Sequence, residues 1–310
     1  MDRRSFIKNS GLTGFLLTTG TFPLLADMED PNITRLTILH TNDVHSRIEP
    51  FPMDGSKNEG LGGAAKRATL IKRIRKEQKN VLLLDAGDMF QGTPYFNFFG
   101  GEVEMKLMSQ MGYDAATIGN HDFDGGMDGL ERQLKHANFP ILISNYNFDN
   151  TILNGKTQEY KIFNKDGIKI GVFGLGIELN GLVPPTLYKE TQYLDPLTEA
   201  QKYASILKND EKCDYIICLS HLGFKYGPTE EKISDIFLAT NTQDIDLILG
   251  GHTHTFLKAP ERLSNKLGKP VLINQVGWAG IVLGRLDIYF EKNKKDTCVT
   301  CKNLLVSSNS

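Results

Sequence analysis

Short, nearly unbroken apolar runs punctuate this chain at Leu36 to Leu39, Val81 to Leu84, Ala115 to Ile118, Tyr215 to Leu219 and Ile245 to Leu249. Runs this short and continuous are the pattern of strands buried on both faces. The first two extend into polar ends, so strands are predicted over Leu36 to Asp43 and Val81 to Asp88. Between them, Gly62 to Gln78 spaces Ala64, Ala65, Ala68, Leu70, Ile71 and Ile74 among Lys and Arg, as in a helix with one buried face. Further helices are predicted at Glu102 to Met111, closed by Gly112, and at Met127 to Ala137. Pro140 to Ser144 reads as another strand. Tyr160 to Phe163 and Ile168 to Phe173 flank Asp166-Gly167, which is a hairpin signal. Alternation then resumes, with helices over Pro196 to Leu207 and around Ile233 to Ala239 and strands ending at Ser220 and Gly250. Val271 to Asn274 and Ile281 to Phe290 are expected to close the chain as antiparallel strands. The pattern predicts an α/β (α+β) fold of two mixed β-sheets flanked by α-helices, in one domain over residues 33–292.

Composition adds exclusions. With 310 residues and a net charge of −2, the chain has the length for one large domain and no basic, aromatic-laced cluster for nucleic acid. The N-terminus stands apart: Arg3-Arg4 precedes Phe6-Ile7-Lys8 and an uncharged stretch from Asn9 to Ala26. Residues 1–26 are therefore expected to be an export signal, with twin arginines like those of the route that carries folded proteins. Gly and Thr make that stretch a poor permanent membrane span, so the expected location is periplasmic or cell-envelope. Cys213 and Cys218 read as core residues. Cys298-Val299-Thr300-Cys301 is expected on a surface tail, residues 293–310, because its C-x-x-C spacing lacks a second pair.

The chemistry lies in the polar residues just beyond the apolar runs. Five of the seven histidines sit in short polar motifs at predicted strand ends: Asp43-Val44-His45, Asn120-His121, His221 and His252-Thr253-His254, with Gly87-Asp88 as a fifth motif. Ligands bind at the carboxyl ends of strands in an α/β sheet, so these motifs can converge on one crevice. Imidazole, carboxylate and amide oxygen suit a borderline divalent metal such as Zn, Mn or Fe. The donors are too many for one ion and fit two. In an extended segment Asp43 and His45 would point the same way, and Asp88 is the natural bridge, with one oxygen for each cation. A lone His at a strand end is more often structural; five motifs together are not explained that way.

D-x-H, GD, GNH, H and GHxH in this order resemble the calcineurin-type metallophosphoesterases. His40-Thr41-Asn42-Asp43-Val44-His45, Asp85-Ala86-Gly87-Asp88 with Gln91-Gly92-Thr93, and Tyr113-Asp114 leading to Gly119-Asn120-His121-Asp122-Phe123-Asp124 resemble the 5′-nucleotidase branch. The resemblance implies a four-layer sandwich with Asp43, His45, Asp88 and His254 on one ion and Asp88, Asn120, His221 and His252 on the other. It also implies His121 as a catalytic residue oriented by Asp124, with attack on phosphorus by a metal-activated hydroxide. Asp122 and His40 match the pattern without a direct role, and His136 is expected at the surface. His254 departs from the Gln that some nucleotidases carry there.

The expected substrate is a small phosphate ester, such as a nucleoside monophosphate or a 2′,3′-cyclic nucleotide. Nucleotidases carry a C-terminal domain that reads the base, and the sequence here stops soon after the catalytic region; a separately encoded C-terminal nucleotidase domain is the expected partner. Phe90, Tyr95, Phe96, Phe98 and Phe99 would either dock it or pack in the core. Two other readings remain open: hydrolysis of a sulfur–sulfonate bond, and a non-catalytic subunit that only binds metal or substrate.

Overall fold

The buried runs pair into two mixed sheets stacked face to face, with helices on both outer faces, in a computed structural model that describes residues 15–18, 32–230, 232–292 and 297–307. The first sheet has seven strands, ordered Phe15–Thr18, Thr297–Cys301, Val282–Glu291, Ile33–Thr41, Val81–Asp85 and Ala115–Ala116, with Leu304–Leu305 also on Val282–Glu291. The second has six, ordered Glu261–Ser264, Pro270–Asn274, Leu247–Gly250, Tyr215–Ser220, Ile168–Leu175 and Tyr160–Lys165. Ile33–Thr41, Val81–Asp85 and Ala115–Ala116 run parallel, as do Ile168–Leu175, Tyr215–Ser220, Leu247–Gly250 and Pro270–Asn274.

Three apolar layers hold this arrangement. Leu36, Ile38, Leu82 and Leu84 of the first sheet meet Val172, Ile217, Leu219 and Leu249 of the second, all fully buried. Each such side chain contributes roughly 1.5–3 kcal/mol by leaving water. The other face of the first sheet packs through Leu39 and Leu83 on Ile71 and Ile74 of Ala64–Glu77, Met105 and Met108 of Glu102–Met111, and Leu130 of Gly126–Leu134. The other face of the second sheet meets Ala200 and Ala204 of Pro196–Ser205 and Leu238 of Asp235–Asn241. Helix, sheet, sheet, helix is the four-layer order the resemblance implies.

Local signals act as expected at several ends. Gly112 closes its helix at φ 75, and Asp166 and Gly167, at φ 51 and 87, turn the hairpin between Tyr160–Lys165 and Ile168–Leu175. Other expectations fail. Pro140 to Ser144 is not a continuous strand: Ile141 and Leu142 make only isolated bridges to Ala116 and Gln158. The two closing segments are only in part the antiparallel strands expected. Val282–Glu291 lies antiparallel to Ile33–Thr41 in the first sheet, whereas Pro270–Asn274 sits in the second, antiparallel to Glu261–Ser264 but parallel to Leu247–Gly250.

The C-x-x-C segment is no surface tail. Thr297–Cys301 is a strand on Val282–Glu291, and Cys298, Val299 and Cys301 are buried. Residues three apart on a strand face opposite sides of the sheet, so Cys298 and Cys301 cannot meet, and both are free thiols. Cys213 and Cys218 are core residues. His136 is half-buried, its Nε2 4.0 Å from Glu102. Of the expected export signal, only Phe15–Thr18 falls within the described residues, as a strand on Thr297–Cys301. No described helix is long and apolar enough to cross a membrane.

Candidate metal centre

The carboxyl ends of Ile33–Thr41, Val81–Asp85, Ala115–Ala116, Tyr215–Ser220 and Leu247–Gly250 open onto one crevice, and the polar motifs line it. The strands stop earlier than the sequence pattern suggests. Asp43 and His45 lie beyond Thr41 at φ 51 each, Asp88 lies beyond Asp85 at φ 55, and His252 and His254 are at φ 69 and 51. Left-handed backbone, not strand alternation, therefore aims the donors. Such conformations cost about 1–3 kcal/mol per residue and persist where the surroundings enforce them. Here the loops are zipped together by N–H bonds from Asp43 to Gly87 O (2.9 Å), His45 to Asp88 O (3.1 Å) and Ser46 to Met89 O (3.0 Å).

Asp122 supplies the second brace. Its buried carboxylate accepts N–H bonds from Asp88 (3.0 Å), Met89 (2.9 Å), Phe90 (3.1 Å) and Gly119 (2.8 Å). Burial and the nearby Asp88 charge push its pKa up to about 8, whereas the four N–H donors favour the ionised form, and they tie the Asp88 loop to the Asn120 loop. Gly119 has to be glycine because a Cβ there would fall 2.1 Å from Asp88 Oδ1.

Two donor clusters result, Asp43–His45–His254 and Asp88–His221–His252, each within 4.8 Å. In the inner one, His221 is fully buried, and its Nδ1–H donates to Ala86 O at 2.7 Å. That bond leaves Nε2 to face Asp88 Oδ2 at 3.1 Å, with no hydrogen-bond partner. His252 turns Nδ1 inward, 2.9 Å from Asn120 Oδ1. In the outer cluster His45 Nδ1–H donates to Phe90 O (3.2 Å), so its Nε2 meets His254 Nε2 at 2.9 Å. Asp43 Oδ1 sits 3.3 Å from His254 Nε2 and 4.0 Å from His221 Nε2, between the clusters.

Asp88 lies between them as well, but not with one oxygen for each side. Its Oδ1 accepts the His121 backbone N–H at 2.8 Å. Only Oδ2 faces both clusters, 3.1 Å from His221 Nε2 and 3.8 Å from His45 Nε2.

The electrostatics ask for cations. Asp43 and Asp88 are buried, and among the described residues their ion-pair partners are all histidines. Burial alone would lower the His221 pKa, but Asp88 and Asp43 outweigh it and push it up to about 10. Burial lowers His252 to about 4 and also lowers His45. Two buried carboxylates, inward ring nitrogens and an orphaned buried Nε2 form a donor set that fits two divalent ions.

His121 is the exposed partner of this floor. Its ring lies 5.2 Å from that of His45, and its side chain is 43% exposed. Nδ1–H donates to Asp124 Oδ2 at 2.8 Å, and this bond is the main cause of its raised pKa. An imidazole whose protonated form is favoured in this way, with Nε2 free beside two candidate metal subsites, can neutralise an oxyanion or deliver a proton.

His40 stays outside the chemistry. It is fully buried with Nε2 2.8 Å from Asn274 Nδ2, and burial lowers its pKa to about 3. Sequence reasoning missed the bracing role of Asp122, although its place beside His121 was visible. It also missed Trp278, which no motif marks. The aromatic group divides: Phe90 and Phe96 are core, whereas Phe98 (80%) and Phe99 (51%) are exposed beside half-buried Tyr95.

Comparison with known proteins agrees with this geometry. The family model for the calcineurin-like phosphoesterase matches residues 36–256. A snake venom 5′-nucleotidase from Gloydius brevicauda is 39% identical over 277 residues, covering 83% of this chain and 45% of its own. A 5′-nucleotidase precursor from Thermus thermophilus superposes with a TM-score of 0.78 at 33% identity, over 88% of this chain and 54% of its own. The NAD nucleotidase of Haemophilus influenzae gives 0.77 at 31%, over 88% and 56%. The chain thus spans about half the length of these relatives. The match covers the crevice motifs from Asp43 to His254, and the chain belongs to the calcineurin-like phosphoesterase family.

Proposed function

We propose that this chain is the catalytic unit of an exported metal-dependent phosphoesterase acting on nucleotides, either nucleoside monophosphates or 2′,3′-cyclic nucleotides. Asp43, His45, His254 and Asp88 would hold one divalent ion, and Asp88, Asn120, His221 and His252 the other. Bound there, the ions would supply an activated water and neutralise charge on the phosphoryl oxygens. The chain's own residues do the rest. Asp124 keeps His121 cationic, and His121 Nε2 stabilises a phosphoryl oxygen or protonates the leaving oxygen. No serine or cysteine nucleophile is required.

The observation that carries this reading is the His121–Asp124 pair, 2.8 Å apart and half-exposed over the two donor clusters. Binding alone needs no such pair, which favours an enzyme over a passive subunit. Recognition of the nucleoside is assigned to a C-terminal nucleotidase-type domain, for which exposed Phe98 and Phe99 offer apolar contact. The groups lining the crevice read phosphate and metal, so the chain alone should turn over adenosine monophosphate and a simple aryl phosphate with similar kcat/KM. Phosphate release from a panel of nucleoside monophosphates, cyclic nucleotides, sugar phosphates and an aryl phosphate tests this, with a sulfur–sulfonate substrate as the competing arm. A preference of several hundredfold for one nucleotide would place specificity in this chain.

A further inference from the structure

The rings within the two clusters are not all fixed by the same means. His45 and His221 each donate Nδ1–H to a backbone carbonyl, Phe90 O and Ala86 O, which sets both tautomer and ring plane. Among the described residues no carbonyl or carboxylate takes a hydrogen bond from His254 Nδ1, and its side chain is 41% exposed. A half-exposed imidazole without such a bond is free to turn about its side-chain torsions. Yet its Nε2 must stay near Asp43 Oδ1, 3.3 Å away, to act as a ligand.

One face of that ring is covered by Trp278, the sole tryptophan of the chain. The two rings are nearly parallel, 9° apart, with centroids 5.8 Å apart in offset stacking. Trp278 is itself immobilised: Phe51 meets it edge-on at 5.7 Å, and Arg47 caps Phe51 at 4.2 Å. Its loop is tied to both outer ligand segments. Asn42 accepts from Val276 N (3.0 Å) and donates to Gly277 O (2.6 Å), Ala279 N donates to Asp43 O (2.7 Å), and Gly277 N donates to Thr255 O (2.9 Å). Ala279 is held at φ 58 between Gly277 and Gly280, at φ 75 and 60. A strained loop clamped at this many points keeps the indole plane fixed relative to Asp43 and His254.

We propose that Trp278 is a positioning residue of the outer metal subsite, taking by offset parallel stacking the orienting role that carbonyls play for His45 and His221. The inference rests on the metal-centre reading above and adds to it a residue that does not touch the ion. It predicts that Trp278 contributes to outer-site affinity through the plane of its ring and leaves the inner site alone. As the only indole, it also reports outer-site occupancy through its fluorescence.

The test is calorimetric titration of the metal-stripped full chain with Mn²⁺, alongside Co²⁺ quenching of tryptophan emission. The wild type should bind two ions, with quenching that follows the weaker event. Trp278→Ala should weaken that event by about 10–100-fold, the usual effect of losing a group that orients a metal ligand, and leave the tighter one unchanged. Trp278→Phe should recover most of the affinity, and Trp278→Leu, which fills space without a ring face, should not. Circular dichroism melts confirm that each variant is folded. Two unchanged binding events in a folded Trp278→Ala protein would overturn the assignment, as would equal recovery by Leu and Phe. A wild-type chain that binds no second ion would instead refute the dinuclear reading itself.

Discussion

The two donor clusters share a floor but differ in how they are built. The inner one is set deep: Asp88 is 1% exposed, His221 is fully buried, and a carbonyl fixes the His221 ring. The outer one opens to solvent through His254, at 41% exposure, and depends on an aromatic face to hold that ring. Deep burial makes a removed ligand costly, because it leaves a carboxylate uncompensated in a low dielectric. An exposed ligand can be replaced by water. The inner subsite should therefore be structural as well as catalytic, and the outer one exchangeable.

Ligand removal gives the widest contrast. His221→Ala should abolish inner-ion binding and reduce kcat by about 10³ or more, at least the loss seen for a single transition-state donor. His254→Ala should cost less, about 10–100-fold, and regain activity at high metal concentration. Equal losses, or metal rescue of the His221 variant, would erase the distinction. Next in size is His121→Asn, which should lower turnover by roughly 10²–10⁴ while both ions stay bound, because His121 serves the reaction and not the metals. Loss of metal in that variant would move His121 into the ligand set.

Gly119→Ala should act on the inner side alone. The added Cβ would lie 2.1 Å from Asp88 Oδ1 and 2.6 Å from His221 Nε2. Overpacking of this kind costs about 1–3 kcal/mol, read as a lower melting temperature, and should come with loss of the tighter ion. A variant as stable as wild type with both ions bound would show that the inner loop yields.

The smallest effect is on pH. The hydrogen bond from His121 to Asp124, together with the nearby carboxylate charges, raises the His121 pKa against the lowering effect of burial. Activity that needs cationic His121 is present below that pKa and is lost as pH rises through it. Asp124→Asn lowers the pKa, so the alkaline fall-off in kcat should move to lower pH. A shift in the other direction, or none, would detach Asp124 from the proton on His121.

Much of this was legible in the sequence for a local reason. Val81 to Leu84 and Tyr215 to Leu219 are buried on both faces, so their apolar runs mark strands without knowledge of their partners. Donors after such runs must lie at strand ends, which gathered Asp43, Asp88, Asn120, His221, His252 and His254 in advance. The failures are non-local. Nothing in Pro270–Asn274 specifies the sheet it joins, because period and composition do not encode a pairing partner. Thr297–Cys301 alternates too briefly, after a charged stretch, to announce that Val282–Glu291 would pair with it.

The same limit hid details of the site. Asp122 accepts from residues more than thirty positions earlier, and Trp278 stacks on a histidine twenty-four positions away. The left-handed backbone of Asp43, His45 and Asp88 is imposed by the neighbouring loop, and residue type alone does not predict it.

The most direct test of a two-subsite centre with unequal depth is elemental analysis of the natively purified chain through a graded chelator titration. Two ions per chain should be present at the start. The first should leave at low chelator concentration together with most activity, and the second only at much higher concentration, with a fall in melting temperature. A single ion per chain with full activity, or loss of both ions in one step without loss of stability, would contradict the account.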